Sequence, residues 1–158
     1  MIQHNNGNGY PKRTIPPYEG EICYDIKNTA QGLWFLPNNP STPEDPHLGM
    51  LRNNYYPDKN VISVGTSIPG LLSIPYEFYP LESGTHTRGF DKIEADGKVY
   101  TFNQFTNIWN SPLEEFAFPS NHIILIQLID DETLRIEQQT TSDGPPWNFT
   151  SHAVDFKR

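Results

Sequence analysis

His122-Ile123-Ile124-Leu125-Ile126-Gln127-Leu128-Ile129, then Asp130-Asp131-Glu132, then Thr133-Leu134-Arg135-Ile136-Glu137-Gln138-Gln139, is the stretch that decides the fold class. Both flanks have strand length and are rich in β-branched and aliphatic side chains, which fit a pleated, half-buried surface. The acidic triplet between them is too polar to bury. The pattern predicts two antiparallel neighbours joined by a tight turn.

Working outward, the same grammar repeats. Residues 149–157 follow the break at Gly144-Pro145-Pro146 and read as a last strand. Upstream, residues 85–93 and 98–105 flank Ala95-Asp96-Gly97, a hairpin signal because glycine tolerates the positive φ of the turn. Residues 47–51, 61–66 and 76–79 are further strands, the last with Pro75 marking an edge or a start. Residues 21–27 alternate Ile22, Tyr24 and Ile26 with Cys23 and Asp25, and 30–36 contain Leu33-Trp34-Phe35-Leu36. Four prolines in residues 37–46 exclude that segment from a ladder. One short helix is expected at 112–117, where Ser111, Pro112 and Glu114 form an N-terminal capping pattern. Residues 1–20 read as an extended arm and 21–158 as a single β-domain. The expected fold is all-β: a single up-and-down barrel of about eight to ten short antiparallel strands, with a β-sandwich as the alternative.

Charge narrows the partners. The 158 residues carry 19 carboxylates against 11 basic side chains, a net −8, and the cations are dispersed along the chain. Nucleic-acid binding draws on clustered cations that displace counterions, so DNA, RNA and anionic membranes are not expected partners. No apolar run reaches the ~20 residues of a spanning helix. Residues 1–9 are polar and lack a signal-peptide pattern. A mature secreted or periplasmic chain is favoured over a cytoplasmic one. The single Cys23 excludes an internal disulfide, and Asn148-Phe149-Thr150 is a glycosylation triplet.

Gly32-Leu33-Trp34, a G-x-W near the start of the barrel, and the C-terminal Phe156-Lys157-Arg158 together resemble the calycin superfamily, the lipocalin-like barrels. The resemblance implies that Trp34 closes the barrel base with Arg158, or else Lys157, over its ring. It also implies a central pocket for a small ligand.

Chemistry-bearing motifs are few. Phosphate-cradling, H-E-x-x-H and C-x-x-C patterns are absent from the sequence, and Gly65-Thr66-Ser67-Ile68-Pro69-Gly70 has one residue too many for a nucleophile elbow. No two His or Cys residues stand at a recognised ligand spacing, so neither a metal nor a cofactor is expected. His47 follows Asp45 at a loop edge. His86, with Glu77 or Asp91, is a candidate acid–base pair, and His122 with His152 is another. By alternation, His122 shares a face with Ile124, Ile126 and Leu128, and His152 shares one with Val154 and Phe156. Each is either a satisfied core histidine or the lining of a cavity. Tyr76, Phe78, Tyr100 and Phe102, together with His122 and His152, are the candidate ligand-binding set, because Tyr and Phe at strand spacing suit an amphipathic guest. Three functions follow: binding of an apolar or amphipathic small molecule, an enzyme on the same barrel, or a carbohydrate-binding sandwich.

Overall fold

The computed structural model describes residues 25–40, 46–106 and 119–158. Among these described residues, eight strands form two four-stranded antiparallel sheets. The first sheet takes β1 (Gly32–Trp34), β2 (Leu48–Arg52), β3 (Asn60–Val64) and β4 (Pro75–Phe78) in chain order; the second takes β5 (Tyr100–Phe102), β6 (His122–Asp130), β7 (Thr133–Thr140) and β8 (Val154–Lys157). The strands do not join into one continuous closed ladder, which the expected barrel requires. Single bridges link the sheets on both sides: Phe35 pairs with Lys157, and Glu77 with Thr106.

The predicted hairpin is β6–β7. Ile126 faces Ile136 and Leu128 faces Leu134, with one irregularity between Leu128 and Asp130 that lets the acidic turn reverse the chain. Inward-facing positions of both sheets build one core, in which Trp34, Met50, Ile62, Phe78, Phe102, Ile124, Ile136 and Phe156 are fully buried. Each such side chain contributes roughly 1.5–3 kcal/mol by leaving water.

Several expected strands differ from the observed ones. Residues 85–93 do not form a strand or the first arm of a hairpin. His86 makes a parallel bridge to Thr101, and a 3-10 turn follows at Phe90–Lys92. Thr87 has φ +50°, a left-handed conformation that a β-branched residue rarely adopts, and it breaks the extended run. Residues 149–157 yield only Val154–Lys157 as strand. Ahead of it the chain crosses the outer face of the second sheet, bonding to side chains: Thr150 N–H to Glu137 and the Gln139 amide to Asn148 O. Residues 25–27 lie at a turn, where Ile26 N–H reaches Gln31 O. The rest of that expected strand, the 1–20 arm and the helix at 112–117 lie outside the described residues. No described helix is long and apolar enough to cross a membrane.

Candidate functional site

The interior aromatics are occupied with one another. Phe78 meets Phe90 edge-on and Phe102 at a tilt, both with ring centroids 5.2 Å apart, and Tyr76 packs edge-on against Phe105 at 5.2 Å. The Tyr76 hydroxyl accepts from Leu72 N–H and donates to Leu72 O, both at 3.1 Å. Burial pushes its pKa up to about 12. Tyr100 buries its ring in the same core and extends its hydroxyl to Asp96 at 3.1 Å. Burial, then that hydrogen bond, raises the Tyr100 pKa as well. These four rings form packing between the sheets, with their polar tips answered at its margin.

The candidate acid–base residues are not brought together. His86 Nδ1 bonds Thr101 Oγ1 at 3.0 Å. Glu77 accepts from Asn53 at 2.7 Å and from Lys59 at 3.2 Å. Asp91 pairs with Arg52 and Lys92. His152 is exposed beside Thr150, and His122 heads β6 opposite Thr140. Ser67 bonds Pro46 O at 2.6 Å as a loop former. His47 ties the β1–β2 connection: Nδ1 accepts from Leu36 N–H at 3.1 Å, so Nε2 carries the proton given to Pro40 O at 2.9 Å. Among the described residues, no three His, Cys, Asp or Glu side chains converge as metal ligands.

An apolar groove of about 380 Å³ lies on the outward face of the first sheet. Leu33, Gly49 and Ser63 are register neighbours across β1, β2 and β3, and Phe35, Leu51 and Ser73 extend the walls. Leu33 is 45% and Phe35 36% exposed, whereas Trp34 between them is fully buried. Gly49 forms the floor. A Cβ there would stand 3.1 Å from Leu51 Cδ1 and 3.6 Å from Ser63 Cβ, inside the volume the groove needs. Sequence reasoning passed over this site. Its signal was an outward Leu33-x-Phe35 alternating with Trp34, together with a glycine inside a strand, which marks a place where something approaches the backbone closely.

At one end of the core, Arg158 lies over Trp34, its Cζ 4.3 Å from the ring centroid. Arg158 Nη2 donates to Thr29 O at 3.0 Å and Gln31 O at 2.8 Å, and Trp34 Nε1 donates to Ala30 O at 2.9 Å. Gly32 is required here on two counts. Its φ is +152°, and a Cβ would fall 1.9 Å from Asp25 Oδ1 and 2.8 Å from Arg158 Nη2.

Comparison of the chain with protein-family models, with curated proteins and with solved structures finds no match.

Proposed function

We propose that this chain is a small-molecule-binding protein of calycin-like architecture, and that the groove on its first sheet receives an apolar or amphipathic guest. Support for the architecture comes from the seams. Phe35 and Lys157 exchange hydrogen bonds of 2.6 and 2.8 Å, Thr106 N–H reaches Glu77 O at 2.7 Å, and Arg158 over Trp34 ties the last strand to the first. These bridges support reading the two sheets as parts of one barrel-like wall.

The observation that carries the binding reading is the groove itself. Two large apolar side chains, one on β1 and one just beyond it, stand half-exposed beside a glycine floor, at a volume within the range of ligand sites. Covering that surface gains roughly 25 cal/mol per Å². On this reading the guest sits outside the sheet, since Tyr76, Phe78 and Phe102 are packed against other rings.

Titration with the neutral fluorophore N-phenyl-1-naphthylamine tests this. The native chain should show a saturable, one-to-one rise in emission. Gly49→Val, which suits a strand and fills the floor, should weaken binding about tenfold, or 1.4 kcal/mol, with an unchanged near-UV spectrum. Absence of saturable binding, or equal binding by the variant, overturns the reading.

A further inference from the structure

A second concavity, of about 430 Å³, lies where the β4–β5 connection folds over the 94–100 turn. Unlike the groove it is lined by charged side chains, and these are unevenly used. Lys98 is tied to Asp96, and Lys92 to Asp91. Arg88 lines the wall half-buried, and its guanidinium makes one long contact, Nη1 to Leu81 O at 3.4 Å. Among the described residues no carboxylate lies within ion-pair distance of it. A guanidinium offers five donors in a rigid fork that matches a carboxylate in two bonds, and here most of that fork is unanswered.

The backbone positions this residue at a cost. Thr87 sits at φ +50° with its side chain buried, held by its own N–H to Thr101 O and by Leu81 N–H to its carbonyl, both 2.8 Å. Such strain is on the order of 1–3 kcal/mol and persists only where the surroundings enforce it, commonly at ligand clamps. With Thr87 buried, its neighbour Arg88 lines the pocket together with Tyr100.

We propose that this pocket binds a small organic carboxylate that also carries hydroxyl or ammonium donors, with Arg88 as the anchor of its carboxylate. The other lining groups select the rest of the molecule. Glu82 and Glu94 are acceptors that require donors, and Ser83 and Thr85 add hydroxyls to the same lining. Those same carboxylates, on a chain of net charge −8, repel a phosphate dianion. The pocket is separate from the apolar groove, and the proposal does not depend on that reading.

Backbone amide NMR of the full chain, titrated at constant ionic strength with sodium D-glucuronate, D-glucose and sodium phosphate, tests it. Glucuronate should give saturable shifts in residues 82–88 and 96–100 at millimolar concentration. Glucose and phosphate should bind about tenfold more weakly or not at all. Arg88→Gln should abolish saturation, and Arg88→Lys, which keeps the charge but not the fork, should weaken it with the spectrum otherwise native. Unsaturated shifts with glucuronate, equal binding of phosphate, or undiminished binding by Arg88→Lys would each overturn the proposal.

Discussion

Arg158 stacks on Trp34 and at the same time donates to the carbonyls of Thr29 and Gln31, so one side chain fastens the C-terminus to the turn that precedes the first strand. Its charge is only partly answered by Asp25, whose Oδ1 stands 3.7 Å from Nε and whose side chain is 43% exposed. The attachment therefore depends on packing and hydrogen bonds more than on the ion pair. Trp34→Ala should cost about 3–5 kcal/mol, the range for a large buried aromatic. Arg158→Ala should cost about 1–3 kcal/mol, since it strips donors from buried carbonyls as well as the cation–π contact. Denaturant unfolding of the double variant should show coupling of at least about 0.5 kcal/mol. Strict additivity would mean that the two side chains act independently.

Gly32→Ala tests the same corner from the backbone side. The added methyl cannot coexist with Asp25 Oδ1 at 1.9 Å, and the φ of +152° is unfavourable for alanine. A loss of more than about 1 kcal/mol is expected. Asp25→Ala removes the clash but also takes the acceptor from Leu33 N–H. Gly32→Ala combined with Asp25→Ala should therefore lose less than the sum of the single losses. A thermal melt of Gly32→Ala matching the native one would contradict the geometry.

Where each side chain reports its own surroundings, the sequence was legible. The β6–β7 hairpin follows from β-branched flanks around an acidic turn, whereas Arg158 over Trp34 was implied only by the resemblance and not by local pattern. Legibility failed where a distant contact overrode local pattern. Residues 85–93 alternate like a strand, yet Thr87 is forced left-handed by bonds to Leu81 and Thr101, partners that no local pattern reveals. Both faces of β6 are apolar because the chain around Thr150 lies across the outside of the second sheet, satisfying Glu137 and Gln139 there. The candidate pocket aromatics pack in the core between the sheets, because a domain short of aliphatic residues fills its interior with rings. The groove was missed because its evidence is an empty position, Gly49, and not a reactive side chain.

Glu137 is 2% exposed, and it accepts from both the N–H and the hydroxyl of Thr150. Thr150→Val keeps the shape but removes the hydroxyl donor from a buried carboxylate, which should cost about 1–3 kcal/mol. The loss should be local first, because this segment is held to the sheet by side-chain bonds and not by a ladder. Limited proteolysis should cut Thr150→Val between residues 144 and 153 faster than the native chain, while amides of β6 and β7 keep their hydrogen-exchange protection. Uniform loss of protection across the second sheet would show that the strap and the sheet unfold together.

Acid should loosen the β7–β8 pair. Arg135 donates from Nε and Nη2 to the two oxygens of Asp155, at 2.7 and 2.8 Å, and these bonds hold the Asp155 carboxyl below its ordinary range. A depressed folded-state pKa means that the stabilisation is complete above the unfolded value near 4 and fades as pH falls through the lower folded value. Both side chains are more than a third exposed, so solvent screening limits the contribution to at most about 1 kcal/mol. Asp155→Asn should lower stability slightly at pH 7 and make the acid limb below about pH 4 shallower. An unchanged acid limb would assign that limb to other carboxylates, Asp96 and Asp130 first, since hydrogen bonds hold both of these low as well.

Alkali should act on the core through Tyr76. Its hydroxyl is buried, and although the bond from Leu72 N–H favours the phenolate, desolvation outweighs it and pushes the pKa from 10.0 to about 12. The neutral form is therefore preferred in the folded state. Its contribution is complete below pH 10 and is lost as pH rises through 12, because the unfolded chain ionises first. Two units of separation correspond to a loss on the order of 2–3 kcal/mol across that window. Tyr76→Phe removes the ionisation together with both hydrogen bonds to Leu72. It should lower stability at pH 7 by at most about 1 kcal/mol, since Leu72 O keeps its bond from Ile74 N–H and Leu72 is itself half-exposed. Between pH 10 and 12 it should lose less stability than the native chain does, so that the two curves converge. Stability measured by urea unfolding across that range decides the matter. Parallel native and variant curves would place the alkaline transition on another group and the Tyr76 hydroxyl within reach of water.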